Sequence, residues 1–237
     1  MTAQRASSDP STRRQDGPAP SSSRKPILIA VGVLAAGLLA AVVVALAAGG
    51  DSASVTAGNP AAHLPAEPSD QVASVQLSGD PLPRFESAIA DLAQGMRSPA
   101  IAASYFDGSP AQVTPGDGTP KVLLFLAHWC SHCQAEVASL TDWFETNGVP
   151  TDVDIVAVST GVDSGAPNYP PSSWLLEENW PTAVLRDSSS GEIATAFGLT
   201  GFPFVAAVDG EGAVVSRSSG GLPITAWENL LAVLAET

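Results

Sequence analysis

The stretch that decides the fold runs from Lys121 to Cys133 and reads KVLLFLAHWCSHC. Its first seven residues, 121–127, form a continuous apolar run bounded by turn residues, which predicts a buried central strand. The two cysteines, Cys130 and Cys133, are spaced so that a helix opening at this point places them about one turn apart. The stretch therefore predicts a strand that leads into a helix, with a C-x-x-C pair at the junction.

Strand and helix patterns alternate on both sides of this stretch. They predict an α/β domain with a mixed central sheet and flanking helices, in the order β-α-β-α-β-β-α, with parallel strands first and an antiparallel hairpin last. The turn of that hairpin is Asp-Gly-Glu-Gly at residues 209–212. Strands are predicted at 121–127, 154–159, 182–185, 204–208 and 213–217, short strands at 100–105 and 112–113, and helices from the cysteines to about 147 and at 173–179, 192–197 and 224–234.

The N-terminal part divides into a basic arm and an apolar segment. Residues 1–26 are rich in Ser, Pro and Arg and are predicted to be a disordered cytoplasmic arm. Residues 27–48 (ILIAVGVLAAGLLAAVVVALAA) carry no charged or polar side chain over 22 residues, which is long enough for a transmembrane helix. Arg24 and Lys25 precede this run, so the positive-inside rule predicts a cytoplasmic N-terminus and an extracytoplasmic remainder.

A cleaved signal peptide is the alternative interpretation of this apolar segment. Ala45-Leu46-Ala47 has the small-x-small pattern of a cleavage site. The run is nevertheless longer than the core of about 7–15 residues that signal peptides use, which favours an uncleaved signal-anchor in the cell membrane. No cysteine follows the segment closely, which excludes a lipoprotein anchor.

Residues 49–97 are predicted to be an extracytoplasmic linker that contains one short helix. Small and polar residues with four prolines make up most of the linker between residues 51 and 82. Four apolar residues then recur at the spacing of one helix face. They are Phe85, Ile89, Leu92 and Met96. The linker leaves residues 98–237 as the folded domain.

The charge distribution argues against nucleic-acid binding by this domain. The chain has a net charge of −14, although residues 1–26 hold five basic residues against two acidic ones. The remaining residues hold 22 acidic against five basic side chains. An acidic body repels the phosphate backbone, so the expected partners are proteins and, through residues 27–48, the membrane.

The C-x-x-C pair at a strand-to-helix junction indicates redox chemistry. A thiolate is the nucleophile in disulfide exchange, and a helix N-terminus stabilises negative charge on the first cysteine. Cys130 is therefore the candidate nucleophile, and Cys133 is the candidate resolving cysteine that releases the partner. A static disulfide would close so short a loop that it would stabilise the fold little.

A zinc site is the other use of these cysteines, and it is disfavoured. His128 and His132 could complete four ligands, but successive residues of one short turn cannot easily surround a metal ion tetrahedrally. No metal and no cofactor are therefore expected. His128 is otherwise interpreted as a solvated residue at the rim of the site, and His63 in the linker is given no role.

The motifs together resemble those of thioredoxin-fold proteins. FLAHWCSHC (residues 125–133) is similar to the signature Phe-x-Ala-x-Trp-Cys-x-x-Cys, and Gly201-Phe202-Pro203 is similar to the cis-proline segment of this fold. The glutamate three positions after Cys133, Glu136, resembles that of the TlpA/ResA-like branch of membrane-anchored extracytoplasmic thioredoxins. The resemblance covers residues 98–237 and implies a thioredoxin fold, preceded by one transmembrane helix, with thiol–disulfide oxidoreductase activity.

The resemblance also implies roles for individual residues. Glu136 is expected to exchange protons with Cys133, because a partly buried carboxyl has a raised pKa; an exposed carboxylate that only favours the helix dipole is the alternative. A cis peptide bond before Pro203 would present backbone groups to a docked peptide, with Phe202 and Trp129 touching the substrate. Phe204 stands where the family often has threonine.

The direction of electron flow stays open at this stage. The TlpA/ResA-like frame implies a reductase of protein disulfides, for example at the haem-binding cysteines of apocytochrome c, supplied by a membrane electron donor. His132 favours the opposite direction, because an imidazole beside the Cys130 thiolate makes the disulfide a stronger oxidant, as in DsbA-like oxidases. A third possibility is an anchored binding module without catalysis.

Overall fold

The computed structural model of the chain describes residues 53–54, 63–64 and 70–237. The predicted basic arm and the predicted transmembrane segment at 27–48 lie outside the described residues. Among the helices of the described ranges, none has the length and apolar character to cross a membrane.

A five-stranded mixed sheet forms the centre of the fold, as the sequence predicts. Its strand order is β7-β6-β5-β8-β9; β5, β6 and β7 run parallel, and β8 and β9 run antiparallel to their neighbours. All six residues of β5 are buried, because this strand lies in the middle of the sheet with both faces covered. The strands are β5 (Lys121–Leu126), β6 (Asp154–Ser159), β7 (Ala183–Arg186), β8 (Phe204–Val208) and β9 (Val214–Ser219).

Four helices flank this sheet close to their predicted positions. Alternate residues of β5 face opposite sides: Val122 and Leu124 join one apolar core, whereas Leu123 and Phe125 join the other. The first core includes residues of α1, α2 and α4, and the second includes residues of α3. The helices are α1 (Ser131–Asn147), α2 (Pro171–Glu177), α3 (Glu192–Ala196) and α4 (Ile224–Leu234).

A second, four-stranded sheet precedes the central one. Its order is β1-β4-β3-β2, and the two short strands predicted before Lys121 are its middle members. The strands are β1 (Ala53–Ser54), β2 (Gln76–Ser78), β3 (Ala100–Ser104) and β4 (Pro110–Val113).

The helix predicted at Phe85–Met96 is wrong: this segment forms turns. Ile89 and Leu92, two of the four supposed apolar-face residues, are 98 % and 73 % exposed. Within the segment, the backbone N–H groups of Gln94 and Met96 donate only across single turns, and other backbone groups bond to distant parts of the fold. The Phe85 N–H donates to the Gly198 carbonyl at 2.9 Å, and the Gly95 N–H donates to the Val214 carbonyl at 2.8 Å.

Parts of the predicted linker pack on the folded domain. Leu64 and Leu82 are each only 4 % exposed. The His63 ring stacks on Tyr105 with ring centroids 4.0 Å apart, and its Nδ1 lies 2.8 Å from Oδ2 of Asp107. His63 therefore has a structural contact that the sequence analysis does not predict.

Candidate active site

Cys130 lies at the junction between the central strand and α1. It is the N-cap of α1, with extended backbone angles, and its sulfur accepts a hydrogen bond from the Cys133 N–H at 3.4 Å. Its side chain is partly exposed, and both cysteines are free thiols. Cys130 is thus the sulfur that solvent and a partner can reach, and the Cys133 N–H points at it.

Cys133 lies in the first turn of α1 and is fully buried. Burial raises the pKa of its thiol far above the usual range, and the neighbouring Cys130 and Glu136 add to the rise. A sulfur with this environment stays protonated unless a nearby base removes its proton. The two cysteines therefore have the unequal exposure that separate attacking and resolving roles require.

Glu136 is the candidate for that base, because its charge acts on Cys133, and it is buried. Its side chain is 5 % exposed on the inner face of α1, in the same helix as Cys133. Burial raises the pKa of the carboxyl, whereas hydrogen bonds from Trp227 and Leu222 act in the opposite direction. The alternative of an exposed carboxylate serving only the helix dipole is therefore wrong.

Helix α4 and the residues just before it supply the hydrogen-bond donors for Glu136. The Trp227 indole N–H donates to Oε1 at 2.5 Å, and the Leu222 N–H donates to Oε2 at 3.0 Å. Gly221 lies so close that a Cβ atom there would be 3.0 Å from Oε2. Sequence reasoning missed Trp227 and Leu222, and the Gly220-Gly221 pair just before them was the only signal for a close approach at this point.

The peptide bond between Phe202 and Pro203 is cis, as the resemblance implies. Pro203 is buried, and its carbonyl accepts a hydrogen bond from the Gly220 N–H at 2.8 Å. Phe202 is partly exposed and packs against the core that contains Cys133. Phe204, at the position where the family often has threonine, is fully buried in the opposite core.

Trp129 joins Phe202 at the surface. It is 41 % exposed, and the two rings meet edge to face with centroids 5.7 Å apart. Its indole N–H donates to the Gly161 carbonyl at 2.7 Å. The two aromatic residues that are predicted to touch substrate therefore contact each other, and Trp129 directly precedes Cys130 in the chain.

The two histidines of the motif have opposite environments. His132 is exposed, so its predicted influence on the Cys130 thiolate stays a prediction. His128 is only 1 % exposed, and the interpretation as a solvated rim residue is wrong. Its ring is enclosed because both nitrogens form hydrogen bonds with residues 163 and 167. Within the described residues, no group of three or more His, Cys, Asp or Glu side chains could hold a metal ion.

Comparison with known proteins defines the class of this chain. The profile of the AhpC/TSA family matches residues 95–216, just over half of the chain. The chain belongs to the AhpC/TSA family. It has a thioredoxin-like α/β fold and is a thiol–disulfide oxidoreductase. Among curated proteins there is no match.

Among solved structures similar to this chain, one reaches a TM-score of 0.50 and has the same fold. A thioredoxin-family thiol:disulfide interchange protein of Chlorobium tepidum is 19 % identical, with a TM-score of 0.50, over 62 % of this chain and 99 % of that chain. A secreted disulfide oxidoreductase of Mycobacterium tuberculosis, homologous to E. coli DsbE, is 24 % identical, with a TM-score of 0.46, over 56 % and 95 %. StoA of Bacillus subtilis is 15 % identical, with a TM-score of 0.46, over 56 % and 96 %.

Proposed function

We propose that the chain is a TlpA/ResA-like reductase of protein disulfides. In this proposal Cys130 is the nucleophile, Cys133 the resolving cysteine and Glu136 the proton acceptor for Cys133. The observation that carries it is the buried Glu136 carboxylate in the same helix as the buried Cys133 thiol. A resolving thiol with a strongly raised pKa needs such a base, and an ordinary surface glutamate would not serve.

The first step forms a mixed disulfide. The Cys130 thiolate attacks one sulfur of a substrate disulfide, an S–S bond forms between Cys130 and the substrate, and the substrate's own S–S bond breaks. The departing substrate sulfur leaves as a thiolate and takes up the proton that Cys130 released. Trp129, Phe202 and the cis Pro203 are the proposed contacts for the substrate chain around this bond.

The second step releases the substrate. Glu136 accepts the proton of the Cys133 thiol, and the resulting thiolate attacks the Cys130 sulfur. The second substrate sulfur leaves and takes up a proton, so that the substrate gains two electrons and two protons and the enzyme is left with a Cys130–Cys133 disulfide. A dithiol donor, proposed to be in the membrane, then reduces the enzyme again.

The proposed setting is the outer side of the cell membrane. It rests on the apolar segment at 27–48 and on the basic residues before it. Substrates there would be protein disulfides of exported proteins, including the haem-binding cysteines of apocytochrome c. Protease accessibility in intact cells tests this orientation, because residues after 50 should be cleaved when the outer face is exposed to protease, and their full protection would contradict it.

The redox potential of the Cys130–Cys133 couple tests the direction of electron flow. A reductase requires a value near that of thioredoxin, about −270 mV, whereas a value near that of protein disulfide isomerase, about −180 mV, or higher would contradict it. The latter result would favour the oxidase in which His132 stabilises the Cys130 thiolate.

Cysteine variants test the roles of the two sulfurs. With oxidised insulin as substrate, Cys133→Ser should accumulate a mixed disulfide on Cys130, because the resolving sulfur is missing. Cys130→Ser is the matched control and should accumulate none. If neither variant traps substrate, and the unsubstituted protein neither reduces nor forms a disulfide, the chain is a binding module and the enzyme proposal fails.

A further inference from the structure

A ten-residue loop between β6 and α2 borders the active site. It runs over residues 161–170 with the sequence GVDSGAPNYP and is exposed for most of its length. We call it the 161–170 loop. Two prolines, two glycines and an aspartate give it no helical or strand pattern of its own, so its shape depends on contacts with the rest of the fold.

His128 connects to this loop through both ring nitrogens. Nδ1 lies 2.6 Å from the Pro167 carbonyl oxygen, and Nε2 accepts a hydrogen bond from the Asp163 N–H at 3.1 Å. A carbonyl can only accept, so Nδ1 carries the proton and the partners assign a neutral ring. A buried ring with one donor and one acceptor bond fixes two points of the loop at once.

Three more contacts reinforce the connection. The Trp129 indole N–H donates to the Gly161 carbonyl at 2.7 Å, at the start of the loop. Near its end, the Asn168 side chain donates to the His128 carbonyl at 3.2 Å, and the Tyr169 ring meets the His128 ring edge to face at 6.0 Å. The loop is therefore tied at both ends to the two residues that directly precede Cys130.

The loop presents an aromatic side chain to solvent. Tyr169 is 45 % exposed, and its ring contacts the His128 ring. The residue after His128, Trp129, is also exposed and contacts Phe202. Exposed aromatic rings beside a reactive group are typical contacts for the apolar side chains of a protein partner. Nothing in the two-step exchange itself requires Tyr169 or His128, so another role is open to them.

We propose that His128 is a positioning residue that holds the 161–170 loop beside Cys130, and that Tyr169 on this loop selects substrates with an apolar or aromatic residue next to the reacting cysteine. This inference rests on the proposed disulfide exchange and names the class of substrate that it prefers. In this proposal His128 acts through the loop, because both of its ring nitrogens form hydrogen bonds to the loop and not to the reacting sulfur atoms.

Two matched peptides test the selection. Each has a single cysteine in a disulfide with 2-mercaptoethanol; phenylalanine flanks the cysteine in one peptide and serine in the other. Each turnover oxidises the Cys130–Cys133 dithiol to a disulfide and releases the peptide thiol and 2-mercaptoethanol. Stopped-flow tryptophan fluorescence of the reduced protein gives the second-order rate constant for each peptide, and bis(2-hydroxyethyl) disulfide gives the rate without any peptide.

The variants are expected to lose the preference for the phenylalanine peptide while they keep the disulfide exchange itself. The unsubstituted protein should react roughly tenfold faster with the phenylalanine peptide than with the serine peptide, a ratio typical of one well-placed aromatic contact. Tyr169→Ala and His128→Phe should reduce this ratio to about twofold or less, while the rate with bis(2-hydroxyethyl) disulfide stays unchanged. His128→Phe keeps an aromatic ring but removes both nitrogen hydrogen bonds.

Ile89→Ala is the control, because Ile89 is an exposed apolar residue outside the site, and it should keep the full preference. An unsubstituted protein without preference, or a Tyr169→Ala variant that retains it, would overturn the inference. If His128→Phe does not fold, Tyr169→Ala alone decides. If the rate constants of the folded variants fall by the same factor with all three disulfides, both residues have only a structural role, and the inference is also overturned. No exchange of the unsubstituted protein with any disulfide would instead refute the proposed function.

Discussion

At the scale of single residues, two opposing influences act on the pKa of Glu136. Burial disfavours its charge and raises its pKa, whereas the N–H groups of Trp227 and Leu222 favour the ionised carboxylate. The balance lies on the side of a raised pKa. A carboxyl in this condition can take a proton from Cys133 and give it up again at a pH closer to neutrality than an exposed glutamate could.

The raised pKa also has a consequence for stability. Below the ordinary carboxyl value of 4.5, Glu136 is protonated in both the folded and the unfolded chain, and its contribution to stability is fully present. As the pH rises from this value through the raised pKa, the unfolded chain releases the proton more readily than the folded one. The contribution of Glu136 to the free energy of unfolding is therefore lost over that interval.

Glu136→Gln tests the catalytic side of this assignment. A glutamine cannot accept the Cys133 proton, so resolution of the mixed disulfide should slow by about 100-fold. In the unsubstituted protein the resolution rate should rise with pH through the raised pKa of Glu136, and this rise should be missing in the variant. Single-turnover kinetics across the acidic to neutral range measure both effects.

Glu145→Gln is the matched control, because Glu145 is an exposed glutamate in the same helix α1. It should leave the rate and its pH dependence unchanged. The role of Glu136 as proton acceptor would be refuted if Glu136→Gln resolved the mixed disulfide at the rate of the control across the whole pH range.

At the scale of elements, the segment at 82–98 is ordered by one buried ion pair as well as by backbone hydrogen bonds. Arg217 in β9 donates to Asp91 through Nε at 2.9 Å and through Nη2 at 2.5 Å. The side chains are 0 % and 4 % exposed, respectively. Arg217 also donates to the carbonyls of Pro83 and Phe197, so one guanidinium joins three parts of the fold.

Asp91→Ala should destabilise the domain by about 3–5 kcal/mol, because it leaves the buried Arg217 guanidinium without its counter-charge. Urea unfolding measures the change. Glu86→Ala, at an exposed position of the same segment, is the control and should change stability by no more than about 0.5 kcal/mol. A decrease in the free energy of unfolding of less than about 1 kcal/mol for Asp91→Ala would contradict the expected contribution of this ion pair to stability.

The same pair predicts the behaviour of the fold in acid. The hydrogen bond from Arg217 lowers the pKa of Asp91 below its ordinary value of 3.8. Its contribution to stability is thus present above that value and is lost as the pH falls through the lowered one. The destabilisation by Asp91→Ala should accordingly be largest near neutral pH and shrink in strong acid.

At the scale of the whole molecule, the question is where the folded domain begins. The sequence places its boundary at residue 98, yet Leu82, Phe85 and Ala93 are buried in the core with Phe125 and Phe204. Burial of one leucine or phenylalanine side chain contributes about 1.5–3 kcal/mol. The segment before residue 98 therefore contributes a free energy comparable to a large part of the stability of an ordinary domain.

Two shortened chains test this boundary. A chain of residues 70–237 should fold and unfold cooperatively, whereas a chain of residues 98–237 should lose several kcal/mol and melt without a sharp transition. Thermal unfolding followed by near-UV circular dichroism measures the difference. Equal melting temperatures for the two chains would support the boundary at residue 98.

Local patterns in the sequence were sufficient for the sheet, most of the helices and the cysteine pair. The strands at 154–159 and 204–208 have their predicted bounds, because a short, continuous apolar run between turn residues is typical of a buried strand. Cys130 and Cys133 could be placed at the start of a helix for a similar reason, since all the determining residues lie within one short stretch.

The tertiary structure alone decided the environment of the site and the course of residues 85–96. Glu136 and Trp227 are 91 residues apart in the chain, Asp91 and Arg217 are 126 apart, and His128 and Asp163 are 35 apart. No local sequence pattern encodes such pairs, because their members meet only when the backbone folds. The folded chain then shields them from water, and the hydrogen bonds between them form. For the same reason, the apolar spacing around Ile89 predicts a helix, whereas in the structure backbone groups of this segment bond to distant residues.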